Sequence, residues 1–141
     1  MSRFLTNAHL ESTGDRDESG RSVYRLTRDL KYQHGDGRHS VILTMPAGRL
    51  TNLATIPRTP VLQWLYRELV RPSGKYIRAP ILHDFLCNED FPGNPDEVSG
   101  FTRFEADAML RSALRSLGAP RWKVLSVYCA VRAYAVWMGI R

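Results

Sequence analysis

Cysteine is scarce in this sequence: Cys87 and Cys129 are the only two among 141 residues. A small domain held by disulfides needs several cysteine pairs, and such frameworks belong to oxidising compartments. Two cysteines therefore exclude a disulfide scaffold. The chain has to be stabilised by a hydrophobic core, for which 141 residues with a hydrophobic fraction of 43% are sufficient.

Long hydrophobic runs are also absent. The longest apolar stretch extends from Val124 to Ile140 and is interrupted by Ser126 and Arg132. Because a membrane-spanning helix needs about 20 predominantly apolar residues, we predict no membrane span. Residues 1–7 lack the apolar segment of a secretory signal, and we expect no such signal there.

Acidic residues are missing from the C-terminal part of the chain. After Asp107 there is no Asp or Glu, and the basic residues there are Arg111, Arg115, Arg121, Lys123, Arg132 and Arg141. A basic region of this kind is compatible with nucleic-acid binding, with Trp122 and Tyr128 available for base stacking. It is also typical of a solvated helix surface, because the charges are dispersed and no known nucleic-acid-binding motif accompanies them. Nucleic acid is therefore the partner that the sequence favours least.

Strand-like patterns come first along the chain and helix-like patterns follow. Strands are predicted at residues 3–10, 22–27, 30–33 and 40–45, with polar turns at 13–20 and 34–38. This order predicts a single α+β domain over residues 1–141. It consists of an N-terminal antiparallel β meander (1–50), a motif loop (51–58) and a helical part (59–141) with about four helices.

One helix has both of its boundaries marked in the sequence. Thr102 and Glu105 have the spacing of a capping box, in which each residue satisfies an unpaired backbone N–H at the helix start. Gly118 follows the last apolar position, Leu117, and is a common helix stop. We predict a helix from Thr102 to about Leu117.

Three further helices are predicted from proline positions. Thr59 and Pro60 suit a helix start, Pro80 suits a first helical turn, and Pro120 opens the last helix. The last helix is apolar on nearly all sides, so we expect it to be largely buried or to form an oligomer contact.

The stretch 79–88 contains an unusual pair of polar residues, His83 and Asp84, inside an apolar run. Buried polar side chains need hydrogen-bond partners, so this pair is either part of a buried network or part of a functional site. On a helix, His83 and Cys87 share one face at i, i+4. Asp107 flanks the apolar stripe of the capping-box helix and is the third candidate residue.

Three ordered stretches resemble a phage and prophage family catalogued as domain of unknown function 1353. They are Thr51-Asn52-Leu53-Ala54-Thr55-Ile56-Pro57, Ile81-Leu82-His83-Asp84-Phe85-Leu86 and Arg103-Phe104-Glu105-Ala106-Asp107. The family pattern is Thr-Asp-x-Ala-Ser-x-Pro, then His-Asp-x-Leu-Tyr, then Arg-x-x-Ala-Asp. The resemblance covers residues 20–140 and implies a phage or prophage origin, but it does not imply an activity.

The chain departs from this family pattern at three positions. Asn52 stands where the family has Asp, Thr55 replaces Ser, and Cys87 replaces an aromatic residue. If the family Asp is a metal ligand or a base, Asn52 weakens that role, because a neutral amide binds hard cations less strongly and takes up no proton at neutral pH.

The first functional hypothesis is a hydrolase. His83 would act as a general base oriented by Asp84 or Asp107, or these three residues would hold a divalent metal that activates water. A divalent metal is the only cofactor that the sequence suggests. No Gly-x-Ser-x-Gly motif is present to supply a serine nucleophile.

The second hypothesis, which we favour, is a non-enzymatic phage protein of the virion or the host cytoplasm. It would be a virion or tail accessory component that contacts phage structural proteins, or a factor that binds a host protein. His83, Asp84 and Asp107 would then form a buried network with Thr51, Asn52, Thr55, Pro57 and Arg103. We expect loop 51–58 to pack against the His83 helix. An exposed His83 in a cleft would favour the hydrolase, and a sealed His83 would favour the network.

Overall fold

The computed structural model describes residues 2–16, 20–35, 37–51, 74–87 and 101–139. Its strands are β1 (Arg3–Phe4), β2 (Leu10–Arg16), β3 (Ser22–Leu26), β4 (Leu30–His34), β5 (Val41–Met45) and β6 (Leu50–Thr51). Its α-helices are α1 (Arg78–Leu86), α2 (Arg103–Ser116) and α3 (Arg121–Trp137), and a short 3₁₀ helix covers Gly37–His39. The α+β class predicted from the sequence is confirmed.

The strands form two antiparallel sheets. The antiparallel pairing was predicted correctly, but the strand order is not that of a meander. The sheet orders are β1-β4-β5 and β2-β3-β6. Strands β3 and β4 are consecutive in the chain but lie in different sheets, because β3 pairs with β2 and β6, whereas β4 pairs with β1 and β5. Thr51 is the last residue of β6 and pairs with Tyr24 of β3. From this position its side chain contacts Asp84 on helix α1.

Strand β2 begins at Leu10 and extends through Arg16, although the sequence predicts a strand over 3–10 and a turn over 13–20. The register of β2 against β3 shifts between Ser12 and Arg16, and Gly14 has a φ of +79°. A glycine in the left-handed region is a common component of a β-bulge. The glycine that indicated a turn therefore serves as an irregularity within a strand.

Helix α2 has the predicted boundaries. Thr102 Oγ1 accepts the backbone N–H of Glu105 at 3.2 Å, and the Glu105 carboxylate accepts the backbone N–H of Thr102 at 2.8 Å. Gly118 follows the helix with a φ of +83°, a conformation that non-glycine residues adopt only at a cost. Helix α3 begins directly after Pro120, also as predicted.

The described residues contain three α-helices, whereas about four were predicted. The missing one is the helix expected to begin at Thr59 and Pro60, which lies outside the described residues. Pro80 is in the first turn of α1, where its missing N–H leaves no helical hydrogen bond unmade. No helix in the described ranges combines the length and the hydropathy needed to cross a membrane.

One hydrophobic cluster joins the strands to the helices. Its fully buried members include Leu26, Leu30, Tyr32 and Met45 from the strands and Leu82, Leu110, Leu114, Val127 and Val131 from the helices. Helix α3 contributes only one of its faces to this cluster. The opposite face of α3 is exposed, so the helix is buried on one side only. The alternative expectation, an oligomer contact, stays a prediction.

Candidate functional site

Helix α1 carries His83 into the interior of the protein. Ile81, Leu82 and Leu86 are buried on the same short helix, and His83 itself is only 1% exposed. The His83 Nε2 atom lies 2.7 Å from Asp107 Oδ1 on helix α2, and Asp107 is 0% exposed. The structure thus brings together two of the three predicted candidates, in a sealed location.

Both oxygens of the Asp107 carboxylate are bound by arginines. Arg103 Nε donates to Oδ1 at 3.0 Å from one turn earlier on α2, and an Arg132 guanidinium N–H donates to Oδ2 at 2.9 Å from α3. Sequence reasoning did not place Arg132 in the site. The signal that identifies it is its position as the one charged residue in the apolar stretch 124–137 of α3, because a charge in such surroundings usually has a partner. Asp107 therefore connects the three described helices.

His83 is neutral in this environment. Burial lowers the pKa of His83 from its ordinary value of 6.5, and the charge of Arg103 lowers it further, whereas the hydrogen bond to Asp107 acts in the opposite direction. Two guanidinium groups already face a single carboxylate, so an additional positive charge on His83 would be unfavourable. The neutral tautomer that satisfies Asp107 carries its proton on Nε2, an assignment that follows from the hydrogen-bond geometry.

Asp107 is ionised. Burial alone raises the pKa of Asp107, but the hydrogen bond from His83, the charge of Arg103 and the hydrogen bond from Arg132 together hold it below its usual 3.8. Charge-assisted hydrogen bonds to guanidinium groups favour the carboxylate form. The centre is therefore a carboxylate held by two arginines and a neutral imidazole.

The third candidate, Asp84, contacts Thr51 and not the His83–Asp107 pair. Thr51 Oγ1 donates to Asp84 Oδ2 at 2.7 Å, and both residues are buried. Adjacent residues on a helix point about 100° apart, which separates Asp84 from the Asp107 centre. Thr51 is the first residue of the motif loop and contacts α1. The predicted packing of Asn52, Thr55 and Pro57 lies outside the described residues.

Cys87 lies next to the imidazole on helix α1. Its Sγ atom is 3.5 Å from His83 Nε2 and 3.9 Å from Nδ1, and its side chain is partly buried. A thiol beside a histidine that contacts a carboxylate contains the residue types of a cysteine hydrolase. In such a relay the thiol and the carboxylate engage opposite nitrogens. Here the sulfur lies nearer to the nitrogen that already contacts Asp107.

The donor set at this centre is poorly suited to a metal ion. In the part of the chain that the structure describes, no group of three or more His, Cys, Asp or Glu side chains is arranged to hold a metal. The oxygens of Asp107 are engaged by two guanidinium groups, whose positive charges repel a cation. Asp84 contributes its oxygen to Thr51 instead. The metal role of His83, Asp84 and Asp107 stays a prediction.

Comparison with protein families identifies the chain. A family described as Protein of unknown function (DUF1353) matches residues 24–131, well over half of the sequence. The chain belongs to the DUF1353 family. No curated protein and no solved structure matches this DUF1353 protein. The family assignment therefore supplies no activity.

Proposed function

We propose that this DUF1353 protein is a non-catalytic phage accessory protein that works by binding another protein. The supporting observation is the burial of its polar centre: His83 is 1% exposed and Asp107 is 0% exposed. A general base has to come within hydrogen-bond distance of a substrate proton, which a sealed imidazole does not do without a rearrangement. The centre is better suited to holding three helices together.

The exposed face of helix α3 is the surface that we assign to partner binding. Trp122 is 60% exposed, Leu125 56% and Val136 70%, although all three are large and apolar. They recur at helical spacing on the side opposite to the buried residues Val124, Val127, Val131 and Ala135. A contiguous exposed apolar surface marks a site of protein–protein interaction.

The charges around this face indicate the chemistry of its partner. Helix α3 contains no acidic residue, and Arg121 and Lys123 flank the exposed Trp122, whereas Arg132 is paired with Asp107. A partner with an apolar surface and an acidic rim would be complementary, whereas a second copy of this chain would bring like charges together. The partner class is therefore a different protein, either a phage structural protein in the virion or tail or a host protein in the cytoplasm.

Substitution of Leu125 tests this assignment. In cells infected with the phage that encodes the chain, a photo-crosslinker at position 125 should capture one defined protein. One at Arg28, which is exposed between β3 and β4, should not. Leu125→Glu should weaken the binding of that protein by about tenfold or more. Its effect on unfolding should stay within about 0.5 kcal/mol, because the residue is exposed.

The salt dependence of capture and the sedimentation of the chain complete this test. Capture should weaken as the salt concentration rises, because rim charges contribute to encounter. The free protein should sediment as a monomer. A dimer that Leu125→Glu dissociates, or equal capture at both crosslinker positions, would contradict a heterologous partner at this face.

A second candidate function is a cysteine-dependent hydrolase, which only one observation favours. The Cys87 Sγ atom lies 3.5 Å from the His83 ring, and Asp107 contacts the same ring. Catalysis would need the imidazole to turn so that Nδ1 faces the sulfur and the pair becomes accessible to substrate. The non-catalytic role is favoured because Cys87 Sγ lies nearest to Nε2, the same nitrogen of His83 that contacts Asp107.

Alkylation separates these two functions. Cys129 is exposed and Cys87 is partly buried, and they are the only two cysteines, so each serves as the control for the other. For a non-catalytic protein, iodoacetamide near neutral pH should modify Cys129 faster than Cys87, which mass spectrometry of Cys87→Ser and Cys129→Ser variants would measure. Activated cysteines react preferentially. A Cys87 that reacts about tenfold faster than Cys129, and slows in His83→Ala, would support the hydrolase.

A further inference from the structure

A cleft on the outer surface of helix α2 shares no residue with the His83–Asp107 centre. It has a volume of about 630 Å³ and is lined by Ser2, Ala108, Arg111, Ser112, Arg115 and Ser116. This volume is within the range of small-molecule binding sites. The described lining contains two arginines and three serines but no acidic residue, which is the composition of an anion site.

The two arginines of the cleft carry charges that the described part of the protein does not neutralise. Arg111 and Arg115 are exposed and one helical turn apart, and neither forms an ion pair within the described residues. Asp107, one turn before Arg111, is already engaged by Arg103 and Arg132. Like charges at i, i+4 destabilise a helix. A bound anion would relieve this repulsion.

Neighbouring side chains hold Arg111 and Ser112 of the cleft in position. The Arg111 guanidinium lies 5.4 Å from the centroid of the Tyr128 ring, a cation–π contact that restricts its position. The buried Tyr32 hydroxyl donates to Ser112 Oγ at 3.2 Å, which leaves the Ser112 hydroxyl proton to donate into the cleft. Ser116 donates to the Ala113 carbonyl instead, so its oxygen is only an acceptor.

We propose that this cleft binds the phosphate group of a phosphate-bearing ligand. Guanidinium groups bind phosphate through paired N–H donors, and two of them with a serine hydroxyl match an anion with several oxygens. The volume exceeds that of a lone phosphate and leaves room for the rest of a larger molecule. None of the described residues that line the cleft is aromatic, so the recognition that we propose uses charge and hydrogen bonds and not base stacking. The phosphate comes from a small molecule or from a nucleic-acid backbone.

Binding of defined probes to charge-matched variants tests this site. The probes are pyrophosphate, followed by calorimetry, and a fluorescent single-stranded oligothymidine, followed by anisotropy. Arg111→Gln with Arg115→Gln should weaken binding by about tenfold or more, because it removes both guanidinium forks. Arg28→Gln with Arg121→Gln removes the same charge from exposed residues outside the cleft, and it should change binding by about threefold or less.

The two probes distinguish the source of the phosphate. Pyrophosphate binding without oligothymidine binding would support the site and assign it to a small molecule. Binding of both, with pyrophosphate displacing the oligonucleotide, would support the site and assign it to a nucleic-acid backbone. Equal losses in the two double variants, or no binding of either probe at millimolar concentration, would overturn the proposal. Leu125→Glu should bind the probes like the wild type, which separates this site from the α3 face.

Discussion

Asp107→Ala is expected to lower the free energy of unfolding by about 3–5 kcal/mol, because it leaves two arginines and a buried histidine without their common partner. In a chain of 141 residues, each kcal/mol corresponds to roughly 3–4 °C in melting temperature. The melting temperature should therefore fall by roughly 10–20 °C. A domain has only about 5–15 kcal/mol of stability in total, so the loss of this one side chain removes a large fraction of it.

Circular dichroism melts of matched variants would measure this effect. Asp107→Asn keeps the shape and one acceptor but removes the charge, so its loss should be intermediate. Glu11→Ala is the control, because Glu11 pairs with Arg25 at the surface, where both side chains are about half exposed. Such a pair contributes less than about 1 kcal/mol. An Asp107→Ala variant that melts within a few degrees of the wild type would show that the centre does not stabilise the helices.

Acidification below pH 6.5, the ordinary pKa of histidine, is expected to destabilise the protein through His83. The pKa of His83 is lowered in the folded state, so the unfolded chain takes up a proton that the folded chain does not. The stabilisation is fully present above 6.5 and is lost as the pH falls toward the lowered value. The slope is about 1.4 kcal/mol per pH unit for one proton. Asp107 lowers the stability further as the pH falls below 3.8, because its pKa is also lowered in the folded state.

Urea unfolding between about pH 8 and pH 5.5 would test this linkage. His83→Gln keeps an N–H donor for Asp107 but does not titrate in this range. The free energy of unfolding of this variant should therefore not fall with pH as that of the wild type does. His39→Gln is the control, because His39 is exposed and the slope should persist. A wild type whose stability is independent of pH over this range would contradict a neutral buried His83.

His83→Ala distinguishes the structural role from a metal site. It should cost about 1–3 kcal/mol, because the buried Asp107 loses a hydrogen bond. The melting temperature of the wild type should not respond to a chelator. If His83→Ala melts like the wild type, and a chelator lowers the melting temperature of the wild type, then His83 is a metal ligand and the structural role is wrong.

Local chemistry made helix α2 and its boundaries predictable. The capping box of Thr102 and Glu105 acts over three residues, and Gly118 needs only its own backbone freedom. The two-sheet arrangement was not predictable in this way. Sheet membership depends on which strands pair across long stretches of chain, and Gly14 is compatible with either a turn or a bulge until β3 lies beside it.

The sequence by itself determined the α+β class and the family. It also placed two polar residues, His83 and Asp107, among apolar residues that are buried. Only the tertiary structure decided which partners those residues have. Asp107 meets His83 and Arg132 from positions 24 and 25 residues away in the chain, whereas Asp84, adjacent to His83, contacts Thr51 instead. The physical reason is the direction in which each side chain leaves its helix. Residue spacing fixes the face on which a side chain lies, but the packing of three helices determines what stands opposite that face.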